Sequence, residues 1–117
     1  MEWRRREATV FVVVALFVAS VVDPRWAGLA EVPTVGGVSW LHLVGYATLA
    51  AVIDRGRSHP AVPVALAVGY GFLLELVQFG VPYRTFSLLD AATNAAGACL
   101  GVGLIRLRGR LLARRAD

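Results

Sequence analysis

Four apolar segments run along this chain of 117 residues and are separated by short polar stretches. A helix that crosses the hydrocarbon core of a membrane needs about 20 residues, and about 17 suffice when the polar flanks reach the interface. The pattern therefore predicts an all-α fold, a bundle of four transmembrane helices that forms a single domain over residues 1–117. The predicted helices cover about 8–22, 38–53, 61–81 and 88–107.

The composition favours a multi-pass protein of the cell membrane. Hydrophobic residues make up 57% of the chain and the mean hydropathy is +0.64, which is too apolar for an ordinary soluble domain. The net charge is +4, but the arginines border apolar segments and do not form a basic face with interleaved aromatic residues. We therefore expect membrane lipids, and not nucleic acid, as partners.

The beginning of the chain has two interpretations. Arg4, Arg5 and Arg6 precede the first apolar segment, as in a signal peptide, and Gly28 with Ala30 offers a small-residue cleavage site. The polar and bulky residues before that site favour retention of the first helix. Whether this helix is retained is left open, and its removal would leave the topology of the later segments unchanged.

The arginines are distributed unevenly between the two sides of the predicted bundle. Three precede the first segment, two lie in the loop after the second, and five lie at the end of the fourth. The two remaining loops contain only Arg25 and Arg84. The positive-inside rule then places both termini in the cytoplasm, so the third helix ends, and the second and fourth begin, at the outer leaflet.

Polar residues gather at this outer end. Glu75 and Gln78 are three positions apart and share a helix face, and Arg84 follows in the loop. A charged group near the centre of a membrane helix costs about 2.5 to 3.5 kcal/mol, so such residues usually face protein or water and often mark function. We therefore predict an outward-facing polar notch, with candidate ligand-binding residues His42, Glu75, Gln78, Arg84, Asp90 and Asn94.

Several residues of the fourth segment also have a structural interpretation. Ser87 and Asp90 have the spacing of a capping box at the start of a helix. Gly97 and Gly101 have the small-xxx-small spacing that lets helices pack closely, and Asn94 can hydrogen-bond to a neighbouring helix. The glycine stripe is also compatible with a homo-oligomer of undetermined size.

Glu75 carries the strongest functional signal. Gln78 can equally hydrogen-bond to a neighbouring helix, but a carboxylate at this depth must be protonated, paired or exposed to a water-filled cavity. The sequence contains no nucleophilic serine elbow, no pair of histidines at metal-binding spacing and no phosphate-binding loop. We predict no cofactor and no metal site, and we leave catalytic residues unassigned.

The polar and glycine positions together resemble the VanZ-like membrane proteins over roughly residues 38–104. The motif is fairly specific because it fixes eight positions across two helices and their loop. The resemblance implies a small multi-helix membrane protein, and the namesake of the family is associated with resistance to the lipoglycopeptide antibiotic teicoplanin. Besides His42 in an earlier helix, the matching positions are Glu75, Gln78, Arg84, Ser87, Asp90, Asn94, Gly97 and Gly101.

The chain departs from the family pattern just before the histidine. Family members commonly have an Asp-Lys pair there, whereas this chain has Val38 and Ser39. The departure removes two charges from the outer mouth of the predicted notch. We expect it to change ligand specificity, or to remove part of an activity, if the pair normally contacts a ligand.

Three functions fit these observations. The first is a non-catalytic envelope protein whose notch binds a lipid-linked or lipoglycopeptide-like amphiphile, with a role in resistance to teicoplanin-type antibiotics. Arg84 would contact the anionic group of the ligand, and Glu75 or Gln78 would accept its donors. The second is an intramembrane enzyme acting on a lipid-linked substrate, in which Glu75 exchanges protons with His42 or with water. The third is a structural scaffold.

Overall fold

The described part of the chain is predominantly helical. The computed structural model describes residues 2–21, 34–35, 38–55, 59–80 and 88–117. These residues form four helices and one pair of short strands. The elements are α1 (Glu2–Val21), β1 (Thr34–Val35), β2 (Val38–Ser39), α2 (Trp40–Asp54), α3 (Ala61–Phe79) and α4 (Leu88–Ala116).

The described part of the chain is all-α apart from two strands of two residues each. β1 and β2 are antiparallel, with Thr34 opposite Ser39 and Val35 opposite Val38. α2 begins at Trp40, two residues after the approximate start predicted at 38. Val38 is β-branched and follows two glycines in the sequence, so the local sequence favours a strand over a helix start.

Two helices are longer than predicted because the charged residues at their ends continue the helix. α1 begins at Glu2, six residues before the predicted start, and therefore includes the three arginines before the first apolar segment. α4 extends to Ala116, nine residues beyond the predicted end. Arginine, leucine and alanine have high helix propensities, so helix formation does not stop where the apolar segment stops.

The contacts between helices define their relative directions. Two polar contacts between α2 and α4 join residues 52 positions apart in the chain. His42 contacts Asn94, and further along the two helices Asp54 contacts Arg106. Because the separation in sequence is the same for both contacts, a step toward the C-terminus of α2 corresponds to an equal step toward the C-terminus of α4. The two helices therefore run parallel.

α1 and α3 form a second parallel pair. The Tyr70 hydroxyl donates to the Val13 carbonyl, and the Gln78 side chain donates to the Ser20 carbonyl. The partners are 57 and 58 positions apart, so the offset again stays nearly constant. Both helices of this pair therefore point in the same direction.

The two pairs run in opposite directions. At the middle of α3, Gly71 lies against Asn94 in the second turn of α4. Near the start of α3, Val64 lines a groove together with Val102 of α4. The four helices therefore alternate up and down along the chain. A buried core of mostly small and apolar side chains lies between them and comprises Tyr46, Leu49, Ala50, Ala67, Ala98 and Val102.

Two helices of the described part, α3 and α4, are long and apolar enough to cross a membrane by length and composition. α2 is apolar but has only 15 residues. At 1.5 Å per residue it is about 22 Å long, which is shorter than the hydrocarbon core of about 30 Å.

Candidate functional site

A hydrogen bond between α2 and α4 lies at the centre of the predicted site. His42 Nδ1 is 2.9 Å from Asn94 Oδ1. Because the amide oxygen only accepts, the imidazole must carry a proton on Nδ1 and donate it. Asn94 is 3% exposed, so this bond satisfies a polar group that would be costly to bury alone. The structure thus brings together two predicted residues that are 52 positions apart.

Tyr46 packs beside this hydrogen bond and connects it to α3. Its ring centroid is 6.4 Å from that of His42, one helical turn earlier. A Cβ added to Gly71 would lie 2.9 Å from the Tyr46 ring and 3.2 Å from the Asn94 amide. Any larger residue at Gly71 would therefore displace the tyrosine or the asparagine. Because Gly71 has no side chain, α2, α3 and α4 can pack together at the same height in the bundle.

Glu75 lies one turn beyond Gly71 on the same side of α3. Its side chain is 7% exposed, and it is near enough to Tyr46 to interact with it electrostatically. A carboxylate in this position is removed from bulk solvent and lies near the phenol of Tyr46 on α2. We call His42, Tyr46, Glu75 and Asn94 the histidine layer.

Gln78 links α3 to α1. Its amide nitrogen donates to the carbonyl of Ser20 at 3.1 Å, and both side chains are buried. The Ser20 hydroxyl in turn donates to the Phe17 carbonyl within α1 at 2.6 Å. This hydrogen bond joins α3 to α1, as the helix-packing interpretation of Gln78 predicts.

Gly97 and Gly101 lie where α4 is closest to α2. A Cβ added to Gly97 would be 2.5 Å from the Leu43 carbonyl oxygen, and one added to Gly101 would clash with the Ala47 carbonyl. Both glycines face the backbone of α2, which cannot move aside as a flexible side chain could. Their spacing of four residues matches that of the two carbonyls, so the backbones pack along a full turn.

The remaining predicted site residues lie in the first turn of α4 or before it in the sequence. Asp90 lies in the first turn of α4 and is half-buried. A carboxylate there complements the partial positive charge of the helix N-terminus. Arg84 and Ser87 lie outside the described residues, and so does the capping box that Ser87 would form with Asp90.

An ion pair at the opposite end of the bundle was not predicted from the sequence. Arg106 Nε lies 3.0 and 3.2 Å from the two Asp54 carboxylate oxygens, and its Nη2 lies 2.6 Å from one of them. Asp54 is 6% exposed, whereas the Arg106 side chain is 27% exposed. We call these two residues the ion-pair layer.

The sequence did contain a signal for this pair. Asp54 directly follows the second predicted helix, and Arg106 is one of the five arginines at the end of the fourth segment. However, Asp54 follows His42 by the same interval of 12 residues by which Arg106 follows Asn94. Equal intervals between polar residues on two apolar helices indicate parallel packing in register, and that comparison would have predicted both layers.

The chemistry available in the described residues is hydrogen bonding and charge pairing. No group of three or more His, Cys, Asp or Glu side chains within them is placed to hold a metal ion. Cys99 is a free, exposed thiol on α4. The histidine layer instead combines an imidazole, a phenol, an amide and a carboxylate, which suits recognition of a polar head group or transfer of a proton.

The fold and its two layers define a small protein of alternating helices, two of which are suited to crossing a membrane. A family model described as VanZ/LLP1 matches residues 5–109, and the chain therefore belongs to the VanZ/LLP1 family. This match confirms the resemblance indicated by the polar motif. The curated proteins and the solved structures gave no match to the chain.

The family match extends beyond the region that suggested it. The motif covered roughly residues 38–104, whereas the match begins within α1 and ends within α4. Both layers and the α1 contacts of Gln78 and Tyr70 therefore lie inside the matched region. Val38 and Ser39, where the family pattern commonly has an Asp-Lys pair, form β2 directly before α2.

Proposed function

We propose that this protein is a multi-pass membrane protein whose four helices cross the bilayer with both termini in the cytoplasm. The alternating directions of the helices support this arrangement, because consecutive helices that each cross a bilayer must run in opposite directions. The exterior of the bundle is apolar, with Phe11 74%, Phe72 60% and Leu104 65% exposed. Such side chains on the outside of three helices suit lipid contact better than water.

The short α2 fits this proposal because its neighbours are longer. α2 packs against α4 along the glycine contacts, and its core residues Leu49 and Ala50 are fully buried. The face of α2 opposite these residues is exposed, with Leu41 54% and Val44 58% exposed, so we propose that it contacts lipid and that the bilayer adapts to the shorter length of α2. Its polar ends, His42 and Asp54, are paired with α4, so neither is exposed alone to lipid.

The histidine layer is the proposed binding site, facing the outside of the cell. The observation that carries this assignment is the burial of Glu75, about 6 Å inside the end of α3 at Phe79. Helix–helix hydrogen bonds account for Gln78 and for the contact between His42 and Asn94. We assign these three to positioning. We assign ligand contact to Glu75, because it is a buried carboxylate in the last turns of α3, and to Arg84, which follows α3 in the sequence.

The proposed ligand is an amphiphile with an anionic group, of the lipid-linked or lipoglycopeptide type. Arg84 would contact the anionic group, and the carboxylate of Glu75 would accept hydrogen bonds from the ligand. The apolar exterior beside the layer would hold the acyl chain. Membership of the VanZ/LLP1 family supports a role in resistance to teicoplanin-type antibiotics.

Cysteine labelling tests the topology. In a Cys99→Ser background, Arg84→Cys should react with a membrane-impermeant maleimide in intact cells. Asp117→Cys should react only after the membrane is permeabilised. The reverse pattern would invert the protein and place the histidine layer at the cytoplasmic side.

Teicoplanin binding tests the site. We expect the purified wild type to retain teicoplanin, Arg84→Ala to lose most of this binding, and Glu75→Gln to weaken it less. Arg108→Ala also removes one arginine charge, but near the C-terminus and away from the histidine layer, and it is the matched control. If both site variants bind and protect cells as the wild type does, with unchanged thermal stability, the notch is not a binding site. If Glu75→Gln abolishes protection but leaves binding intact, the intramembrane enzyme is the better interpretation.

A further inference from the structure

A groove between α3 and α4 lies at the opposite end of the bundle from the histidine layer. It has a volume of about 500 Å³ and is open along one side. The start of α3 contributes Pro60, Ala61 and Val64, and α4 contributes a face that runs from Cys99 to Arg110. Ligand sites in proteins commonly have volumes of about 300 to 1,000 Å³, so the groove is large enough for part of a lipid.

The groove has an apolar body and a basic end. Val64 and Val102 line the body, whereas Arg106, Leu107 and Arg110 line the end toward the C-terminus of α4. From Cys99 to Arg110 the helix rises about 16 Å, which is close to half of a 30 Å hydrocarbon core. The dimensions therefore match one leaflet, with the arginines at the depth of the head groups.

The two arginines are not equivalent. Arg106 forms the ion-pair layer with Asp54, so its charge is already balanced within the bundle. Arg110 lies one turn further on the same face of α4 and is exposed. The net positive charge at the end of the groove therefore comes from Arg110. A ligand that places an acyl chain in the body and a negative charge at this end would match both features.

We propose that this groove binds an anionic phospholipid of the leaflet nearer the chain termini, with one acyl chain between α3 and α4 and the phosphate at Arg110. The proposal rests on the membrane insertion proposed above but not on ligand binding by the histidine layer. Basic pockets between membrane helices bind the head groups of anionic lipids in this way. Gly103 leaves room for the chain, since a Cβ added there would meet no atom within 4 Å.

Native mass spectrometry of the full chain released from nanodiscs tests the site. The nanodiscs contain equal amounts of phosphatidylglycerol and phosphatidylcholine. We expect the wild type to retain phosphatidylglycerol preferentially and Arg110→Gln to reduce that preference about fivefold, the effect of one basic residue near an anionic head group. Arg110→Lys should keep most of the preference.

Two further variants separate the groove from general surface attraction. Arg108→Gln is the matched control, because Arg108 lies on another face of the same turns and does not line the groove. It should change the preference by less than about twofold, since exposed charges away from the site are screened. Gly103→Leu fills the groove without changing the charge, and we expect it to reduce the total amount of retained lipid.

Each outcome decides the proposal. Equal retention of the two lipids by the wild type, equal effects of Arg108→Gln and Arg110→Gln, or undiminished retention by Gly103→Leu would each overturn the groove as the lipid site. The labelling of Asp117→Cys reports membrane insertion and orientation separately. An inserted chain that shows no lipid preference contradicts only this inference, whereas a chain that fails to insert contradicts the proposed function as well.

Discussion

The histidine layer and the ion-pair layer join the same two helices by different chemistry. Along α2 they are separated by 12 residues, or about 18 Å. At one end an imidazole donates a single hydrogen bond to an amide, 2.9 Å long. At the other end a guanidinium binds both oxygens of a carboxylate through two nitrogens.

This difference indicates that the two ends of α2 have different roles. The bidentate ion pair uses both of its charges inside the protein, so it fixes the end of α2 against α4 and has little left for a ligand. The hydrogen bond between His42 and Asn94 is weaker and lies at the same end of the bundle as the buried carboxylate of Glu75. The ion-pair layer therefore suits a structural role, and we propose ligand exchange at the histidine layer.

The largest effect is expected from a change between the layers that disturbs both. Gly101→Leu would force a side chain against the Ala47 carbonyl, where even a Cβ clashes with the backbone. Because α2 must then move away from α4, we expect a loss of about 3 kcal/mol in the free energy of unfolding in detergent micelles. Thermal unfolding followed by circular dichroism measures it.

Gly109→Leu is the control for this prediction. A Cβ at Gly109 meets no atom within 4 Å, so the same substitution should leave the protein as stable as the wild type or slightly more stable. If both glycine variants are equally destabilised, helix propensity or lipid contact governs the effect, and close packing of α2 on α4 does not.

The sequence predicted the elements of this fold better than their pairing. All four helices were predicted near their observed positions because their apolar segments are long and bounded by charge, glycine or proline. The ends of α1 and α4 were missed, since arginines extend a helix beyond its apolar part. A two-residue strand such as β2 is too short to show the alternation of apolar and polar residues by which strands are recognised.

At the candidate site, too, the sequence predicted which residues come near one another better than it predicted their pairing. Convergence of His42 with Asn94 followed from topology, but that they bond to each other depends on the register of α2 against α4. Register is set by the match of Gly97 and Gly101 to two backbone carbonyls, a contact that involves no side chain of α2. The pairing of Asp54 with Arg106 was not predicted for the same reason, because it becomes evident only when the two helices are aligned.

The next effect concerns the ion-pair layer alone. Asp54→Asn keeps the shape of the side chain but removes the charge that balances Arg106. Removing one partner of a buried pair leaves the other charge uncompensated, so we expect a fall in melting temperature smaller than that of Gly101→Leu. Teicoplanin binding at the histidine layer should persist in the protein that remains folded.

A double variant provides the control. Asp54→Asn combined with Arg106→Gln removes both charges and should recover much of the stability lost in the single variant, since no charge is then left unpaired. If the double variant is as unstable as the sum of the two single variants, the residues act independently. The ion-pair layer would then have no structural role of its own.

The smallest effect is expected at the histidine layer. His42→Phe keeps a ring beside Tyr46, Asn94→Leu keeps the volume at α4, and each removes one partner of the hydrogen bond. A double-mutant cycle in thermal unfolding should give a coupling of about 0.6 kcal/mol, as is usual for hydrogen bonds between membrane helices. The corresponding cycle for Asp54 and Arg106 should give a larger coupling, because both of its groups are charged and the contact is bidentate. If the coupling between His42 and Asn94 is the larger of the two, their hydrogen bond holds α2 and α4 together more strongly than the ion pair does. In that case the histidine layer would fix the two helices, and the ion-pair layer would become the end that is open to exchange.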